Sequence, residues 1–296
     1  MKKQISISVL AAAISLGAMA SEEPAATLSG PGTEDHEAHA SSNPPEGHGS
    51  DAHHESLASK ATNPIGDMIQ VQNQFQYSGN VYDMDGHTSV GIIQPVIPVD
   101  LPFKFMPKMI TRTTVPYIRS PDLPGVGTQS GIGDTVSLFF GLPELGLKGQ
   151  MLGIGPALSM PTATEDELGS EQWSAGPAVV YVNMKTKGQM SGVMFYGLWN
   201  FAGEDDRENV AQLNIQPIFN KFLPGGWYVG LQDVPWTYND TTDKWTLPIG
   251  PRVGKVVHFG KQAANIFGAA YYNPVDDNPG VPEWTLKVSF SLLFPK

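Results

Sequence analysis

Hydrophobic and polar residues alternate along most of the chain beyond residue 62. The pattern is clearest in the final stretch, Glu283 to Lys296, EWTLKVSFSLLFPK. Trp284, Leu286, Val288, Phe290, Leu292 and Phe294 fall on one side of an extended strand, and Thr285, Lys287, Ser289 and Ser291 on the other, because strand side chains alternate with a period of two. From Asn63 onward twelve segments of this kind, 67–78, 90–98, 109–118, 132–140, 151–161, 173–183, 190–201, 210–220, 227–237, 245–257, 263–273 and 284–294, are divided by clusters of Gly, Pro, Asp and Asn. In the first, Ile69, Val71, Phe75 and Tyr77 oppose Gln70, Gln72, Gln74 and Gln76; in the eighth, Leu213, Ile215 and Phe219 oppose Gln212, Asn214, Gln216 and Asn220. An even number of such segments predicts an all-β fold, an antiparallel up-and-down transmembrane β-barrel of twelve strands. Pro95, Pro156, Pro177, Pro217 and Pro248 are awkward inside central strands, since each removes a ladder donor, so boundaries near them are loosely set.

The N-terminus follows other rules. MKKQISISVLAAAISLGAMA carries two lysines, an apolar run from Ile5 to Leu16 and the small-x-small sequence Ala18-Met19-Ala20, which together read as a secretory signal peptide cleaved after Ala20. The run is too short to remain as a membrane helix, which needs about 20 residues. No other window is long and apolar enough, so a membrane protein of this sequence must span as a barrel. The chain has no cysteine, and its stability must come from packing and the hydrogen-bonded sheet rather than disulfides. The formal charge of −11, which becomes −13 once Lys2 and Lys3 leave with the signal, argues against nucleic acid as a partner.

Residues 21–62 are rich in Ser, Gly, Pro, Ala, acidic residues and His, with Leu28 and Leu57 as the only large aliphatics. Such a segment cannot bury enough apolar surface to offset its ordering entropy, and is expected to be a disordered tail. It holds five of the seven histidines, His36, His39, His48, His53 and His54, among eight carboxylates, a donor set suited to weak binding of Zn²⁺, Cu²⁺ or Ni²⁺. The spacing matches no closed tetrahedral site, and a solvated linker is the plainer reading. The chain thus divides into a signal peptide (1–20), a His-rich tail (21–62) and a barrel (63–296).

Charge and tryptophan add two regularities. With the tail on the periplasmic side, alternate gaps between segments face outward. The outward gaps hold sixteen carboxylates against Arg119, Arg207 and Lys244; the inward side holds Asp100 and Glu144 against Lys104, Lys108, Lys148, Lys185, Lys187, Lys221 and Lys261, with Lys255 near the inward end of its segment. Trp173, Trp199, Trp227, Trp236, Trp245 and Trp284 all lie near segment ends, five of them at the outward rim, where amphipathic rings settle at a bilayer interface. A soluble sandwich would place tryptophan in its core instead. The acidic loops GEDDREN and TEDELGSEQ suit solvation, or bridging to lipopolysaccharide through divalent ions, and neither has the ligand spacing of an EF-hand.

The stretches NPIGDMI, MITRTTVPYI, GIGDTVSLFF, GIGPALSMPTATEDELGSEQWSAGPAVVY, LNIQPIFNKFLPGGWYV, KWTLPIGPRVGKV and the closing LLFPK resemble the MetA-pathway-of-phenol-degradation, transporter-type family of outer-membrane proteins. A last strand that finishes on an aromatic also resembles the signal read by the barrel-assembly machinery. The resemblance covers nearly the whole barrel but not the tail. It implies a Gram-negative outer-membrane location among lipid and lipopolysaccharide, and transport of small molecules.

Candidate chemistry is sparse. An enzyme would need a nucleophile or a carboxylate pair beside a His. Outside the tail only His87, in DMDGHTS, and His258, in KVVHFGKQ, are available, and a turn and a solvated rim explain them, so neither catalysis nor a cofactor is expected. If the polar parity is lumenal, Arg112, Arg252 and Lys287 are fixed charges inside, with Gln212, Asn214 and Gln216 among the amides around them. Facing lipid at mid-strand would cost each arginine about 2–4 kcal/mol. Asp134 and Asp233 are the candidate partners of the two arginines. These features predict a channel for diffusion of small solutes, aromatic or carboxylated ones included, through a narrow amide-lined lumen; the alternative is a non-conducting barrel that displays the tail for metal buffering or docking. A plug formed by the tail folding upward is compatible with either.

Overall fold

The computed structural model describes residues 57–295 apart from Gln232 and Asp277. Twelve staves form the wall: β1 (Met68–Ser78), β2 (Thr88–Phe103), β3 (Met106–Arg119), β4 (Ser130–Ile132 and Thr135–Leu142), β5 (Gln150–Met160), β6 (Gln172–Asn183), β7 (Gln189–Gly203), β8 (Ala211–Phe222), β9 (Trp227–Leu231 and Trp236–Asn239), β10 (Lys244–Thr246 and Pro251–Phe259), β11 (Gln262–Tyr272) and β12 (Trp284–Pro295). Each pairs antiparallel with its sequence neighbours, and the sheet closes where Met68 pairs with Pro295 and Ile69 with Phe294. All twelve expected segments are strands.

The five prolines explain most of the irregularity. The β2–β3 ladder lapses between Ile93↔Val115 and Val96↔Arg112, beside Pro95. That of β4–β5 lapses beside Pro156 and that of β6–β7 beside Pro177, while these two prolines pair with each other across β5–β6. Pro217 falls between the two stretches of β8 that pair with the two halves of β9, and Pro248 falls in the break of β10. A missing donor is tolerated where the ladder has already opened.

The alternation places the apolar parity outside. Ile93, Val193, Val253, Val288 and Phe290 are exposed, whereas Gln70, Gln76, Asn220, Lys287 and Ser291 are buried. One rim, which carries Met68 and the chain end, has the short turns 104–105, 223–226 and 260–261; the opposite rim has the longer loops 79–87, 120–129, 161–171 and 273–283. Trp227 is at the first rim and the other five tryptophans are at the second, although Trp199 sits deeper in its strand than the others.

The expected tail boundary is too late. Residues 57–62 form a helical turn, and Leu57, Ala58, Ala61 and Ile65 join a buried cluster with inward-facing Val182, Met190 and Phe222. Asn63 Nδ2 donates to Met151 Sδ at 3.3 Å, and Asn63 Oδ1 accepts from the Ile65 amide at 3.1 Å. Small alanines let the turn lie close against the wall, and a single leucine with Ile65 suffices to anchor it. The remainder of the expected tail, with His36, His39, His48, His53 and His54, lies outside the described residues.

Candidate solute site in the barrel lumen

The lumen has two unlike walls. Strands β1 and β8–β12 supply amides and charges, as the parity argument predicts: Gln70, Gln74, Asn214, Gln216, Arg252 and Lys287 are all buried. Strands β3–β7 instead turn Ile110, Leu138, Phe140, Val180, Met190 and Met194 inward. In β4, Val136 and Leu138 line the interior cavity while Ser137 bonds Thr113 at 2.9 Å on the outward parity of β3. The lumen is therefore amide-lined on one side only. A short strand with two small polar residues and several apolar ones has no polarity contrast strong enough to declare its inner face.

The charged side is built around Asp233, which the break in β9 carries inward. Its carboxylate accepts from Lys287 Nζ at 2.8 Å and lies 3.9 Å from Arg252 Nη1, and the Tyr271 hydroxyl donates to its other oxygen. Arg252 directs Nη2 and Nε to Asn220 Oδ1 at 2.7 and 3.2 Å. Its guanidinium lies over the rings of Phe267 and Tyr228 at 5.4 and 5.8 Å. Two glycines make room: a Cβ on Gly230 would meet Asn220 Oδ1 and Arg252 Nε, and one on Gly254 would meet the ring of Tyr228. Asp233 is thus the expected partner of Arg252, with Lys287 closer still.

Asp134 is not a partner of either arginine. Its carboxylate accepts from the Ser170 amide and hydroxyl, both at 2.7 Å, and from the Ala163 amide at 3.4 Å. It ties the 161–171 loop over the mouth, where Leu168 is buried against Val90, Ile92 and Ile118. Arg207 braces the same loop through Glu171 at 3.0 Å and the Gly169 carbonyl at 2.8 Å. Neither contact was legible in sequence, because an acidic loop residue looks the same whether it is solvated or bonded to backbone amides.

Arg112 stands on the other wall. Its cross-strand neighbours are Val96 and Leu138, and among the described residues it makes no hydrogen bond or ion pair. Two cavities meet at Arg112, Gln216 and Asp233: one of about 170 Å³ toward the long-loop rim, lined also by Gln212, Val136, Leu138, Met194, Tyr196 and Leu198, and one of about 50 Å³ toward Ala61–Pro64. The larger is roughly ten times the ~10–15 Å³ that admits one water, so it has room for a small molecule. Asn214 lies deeper in the wall, where its Oδ1 accepts from Gln212 and Thr237 at 2.9 Å each. His87 stacks on Tyr77 with ring centroids 5.3 Å apart. No group of three or more metal-ligating side chains is present among the described residues.

These features define a closed twelve-strand barrel with an apolar exterior and a charged, partly filled interior. No family model matches the sequence, and no curated protein matches it. Among solved structures the fold is similar to that of the COG4313 outer membrane channel from Pseudomonas putida F1, with a TM-score of 0.58, covering 77% of this chain and 94% of that chain at 16% sequence identity. The likeness is one of fold.

Proposed function

We propose that this protein is an outer-membrane channel through which small solutes, aromatic or carboxylated compounds among them, cross by diffusion. The observation that carries this reading is the pairing of an apolar outer face with an interior that holds cavities on both sides of a charged neck, Arg112, Gln216 and Asp233. Arg252 and Lys287 are tied to Asp233 across the wall, whereas Arg112 makes no ion pair among the described residues and is left facing both cavities. The short-turn rim is assigned to the periplasm and the acidic long-loop rim to the exterior, where its carboxylates face lipopolysaccharide and its divalent ions. Liposomes carrying the purified protein should swell in small solutes such as glycerol faster than empty ones; equal rates would remove the channel reading. Because Val288 faces outward at mid-strand, Val288→Arg is expected to destabilise the barrel by about 2–4 kcal/mol if that face meets lipid, read as a lower transition in a heat-modifiability gel.

One observation favours a second reading, a non-conducting barrel that displays the His-rich tail: residues 57–65 fill the lumen on the periplasmic side of the neck. In that case the tail would start from a fixed point inside the barrel.

A further inference from the structure

We propose, resting on the channel reading, that Arg112 holds the carboxylate of a small amphipathic anion whose apolar body lies on Val136, Leu138, Met194 and Leu198. The lumen would then contain one saturable site for monocarboxylates with an aromatic or short aliphatic body. Three observations converge. First, the guanidinium has Val96 and Leu138 across the ladder and Ile110 on its own strand, and although Tyr196 and Asp233 lie near it, it makes no side-chain hydrogen bond or ion pair among the described residues. A half-buried cation that faces a cavity and lacks a bonded carboxylate favours a counter-ion there. Second, the neck carries a surplus of positive charge: Arg112, Arg252 and Lys287 share the cavity lining with the single carboxylate of Asp233, which is already ion-paired with the latter two, and Asp134 is saturated by its loop bonds.

Third, the cavity beside Arg112 has an apolar side formed by those four residues, together with Ile118 and Leu168. A hydrated inorganic anion would leave that side wet. A carboxylate with an apolar body covers it, while its two oxygens match the planar donor fork of the guanidinium. The acidic outer loops do not oppose entry strongly, because solvent-exposed charges are screened within about 8 Å at physiological salt, and Glu171 is already paired with Arg207.

The test is isothermal titration of the full mature chain in nonionic detergent micelles with benzoate and hexanoate. Benzamide and hexanamide serve as neutral counterparts, acetate as a head without a body, and sulfate as an inorganic anion. Benzoate and hexanoate are expected to bind with a single saturable site at least about tenfold tighter than the other four, the scale of one charge-assisted pair. Arg112→Gln should reduce them to the level of the amides, and Arg112→Lys should retain part of the difference. Equal binding of the amides or of sulfate would overturn the proposal, as would unchanged affinity in an Arg112→Gln barrel that keeps its heat-modifiable mobility. Potassium chloride conductance of the same preparation reads the channel separately. Carboxylate binding without conductance would leave the site standing and remove the channel, and conductance without binding would do the reverse.

Discussion

Removing residues 23–62 is expected to raise single-channel conductance severalfold, whereas removing residues 23–50 leaves it unchanged. The difference lies in the helical turn 57–62, whose Leu57, Ala58 and Ala61 are buried against the inner wall. With the turn gone, the smaller cavity bounded by Ala61, Thr62, Asn63 and Pro64 opens toward the short-turn rim. The shorter deletion takes away His36, His39 and His48 without touching that turn, so it separates any metal-related role of the tail from occlusion of the lumen. A full-length Ala58→Asp, Ala61→Asp double variant supplies an independent check: neither carboxylate has a place in a contact that leaves both alanines almost wholly covered, and the segment should leave the lumen. Planar-bilayer recordings of the three variants beside the intact chain decide the matter. Equal conductance of the long deletion and the intact chain would show that the turn does not obstruct the passage.

The wall was readable from sequence because one rule governs most of it: a strand with a polar inner face and an apolar outer face declares itself by period two. The first, eighth and twelfth strands show that contrast fully, and their inner residues, Gln74, Gln216 and Lys287 among them, line the lumen. Strands β4–β7 were legible as strands but not as to which side faces in. Val136 and Leu138 carry no label to distinguish lipid from an apolar lumen, and only closure of the barrel settles their direction. The interior contacts were less legible still. Arg112 and Arg252 look alike in sequence, each a lone arginine in an alternating strand. Their fates differ because β9 breaks between Leu231 and Trp236 and delivers Asp233 to ion pairs with Arg252 and Lys287, leaving Arg112 beside the same cavities without one. The turn at 57–62 was missed because composition averages over a long polar segment, and three apolar side chains at its end, Leu57, Ala58 and Ala61, are diluted by that average.

Asp233→Asn is expected to lower the stability of the barrel by about 3–5 kcal/mol, the loss that follows when one member of a buried charge cluster is removed and the others remain. Lys287 and Arg252 are 3% and 7% exposed, so water replaces the lost carboxylate only in part. Arg252 retains Asn220 Oδ1 as an acceptor, whereas the nearest charge partner of Lys287 is gone, so most of the loss should reside in Lys287. A Lys287→Met substitution added to Asp233→Asn should therefore recover much of the stability, since a methionine of similar length can pack on Phe267, over whose ring the ammonium now lies at 5.7 Å. Coupling between the two sites is the signature to look for, because residues that share one cluster do not add. The same single variant raises the positive surplus at the neck and should shift reversal potentials in a potassium chloride gradient toward chloride. Urea titrations monitored by tryptophan fluorescence, with heat-modifiability gels alongside, measure the stability of the single and double variants. If Asp233→Asn unfolds where the unmodified barrel does, Asp233 is not the counter-ion that holds β9, β10 and β12 together.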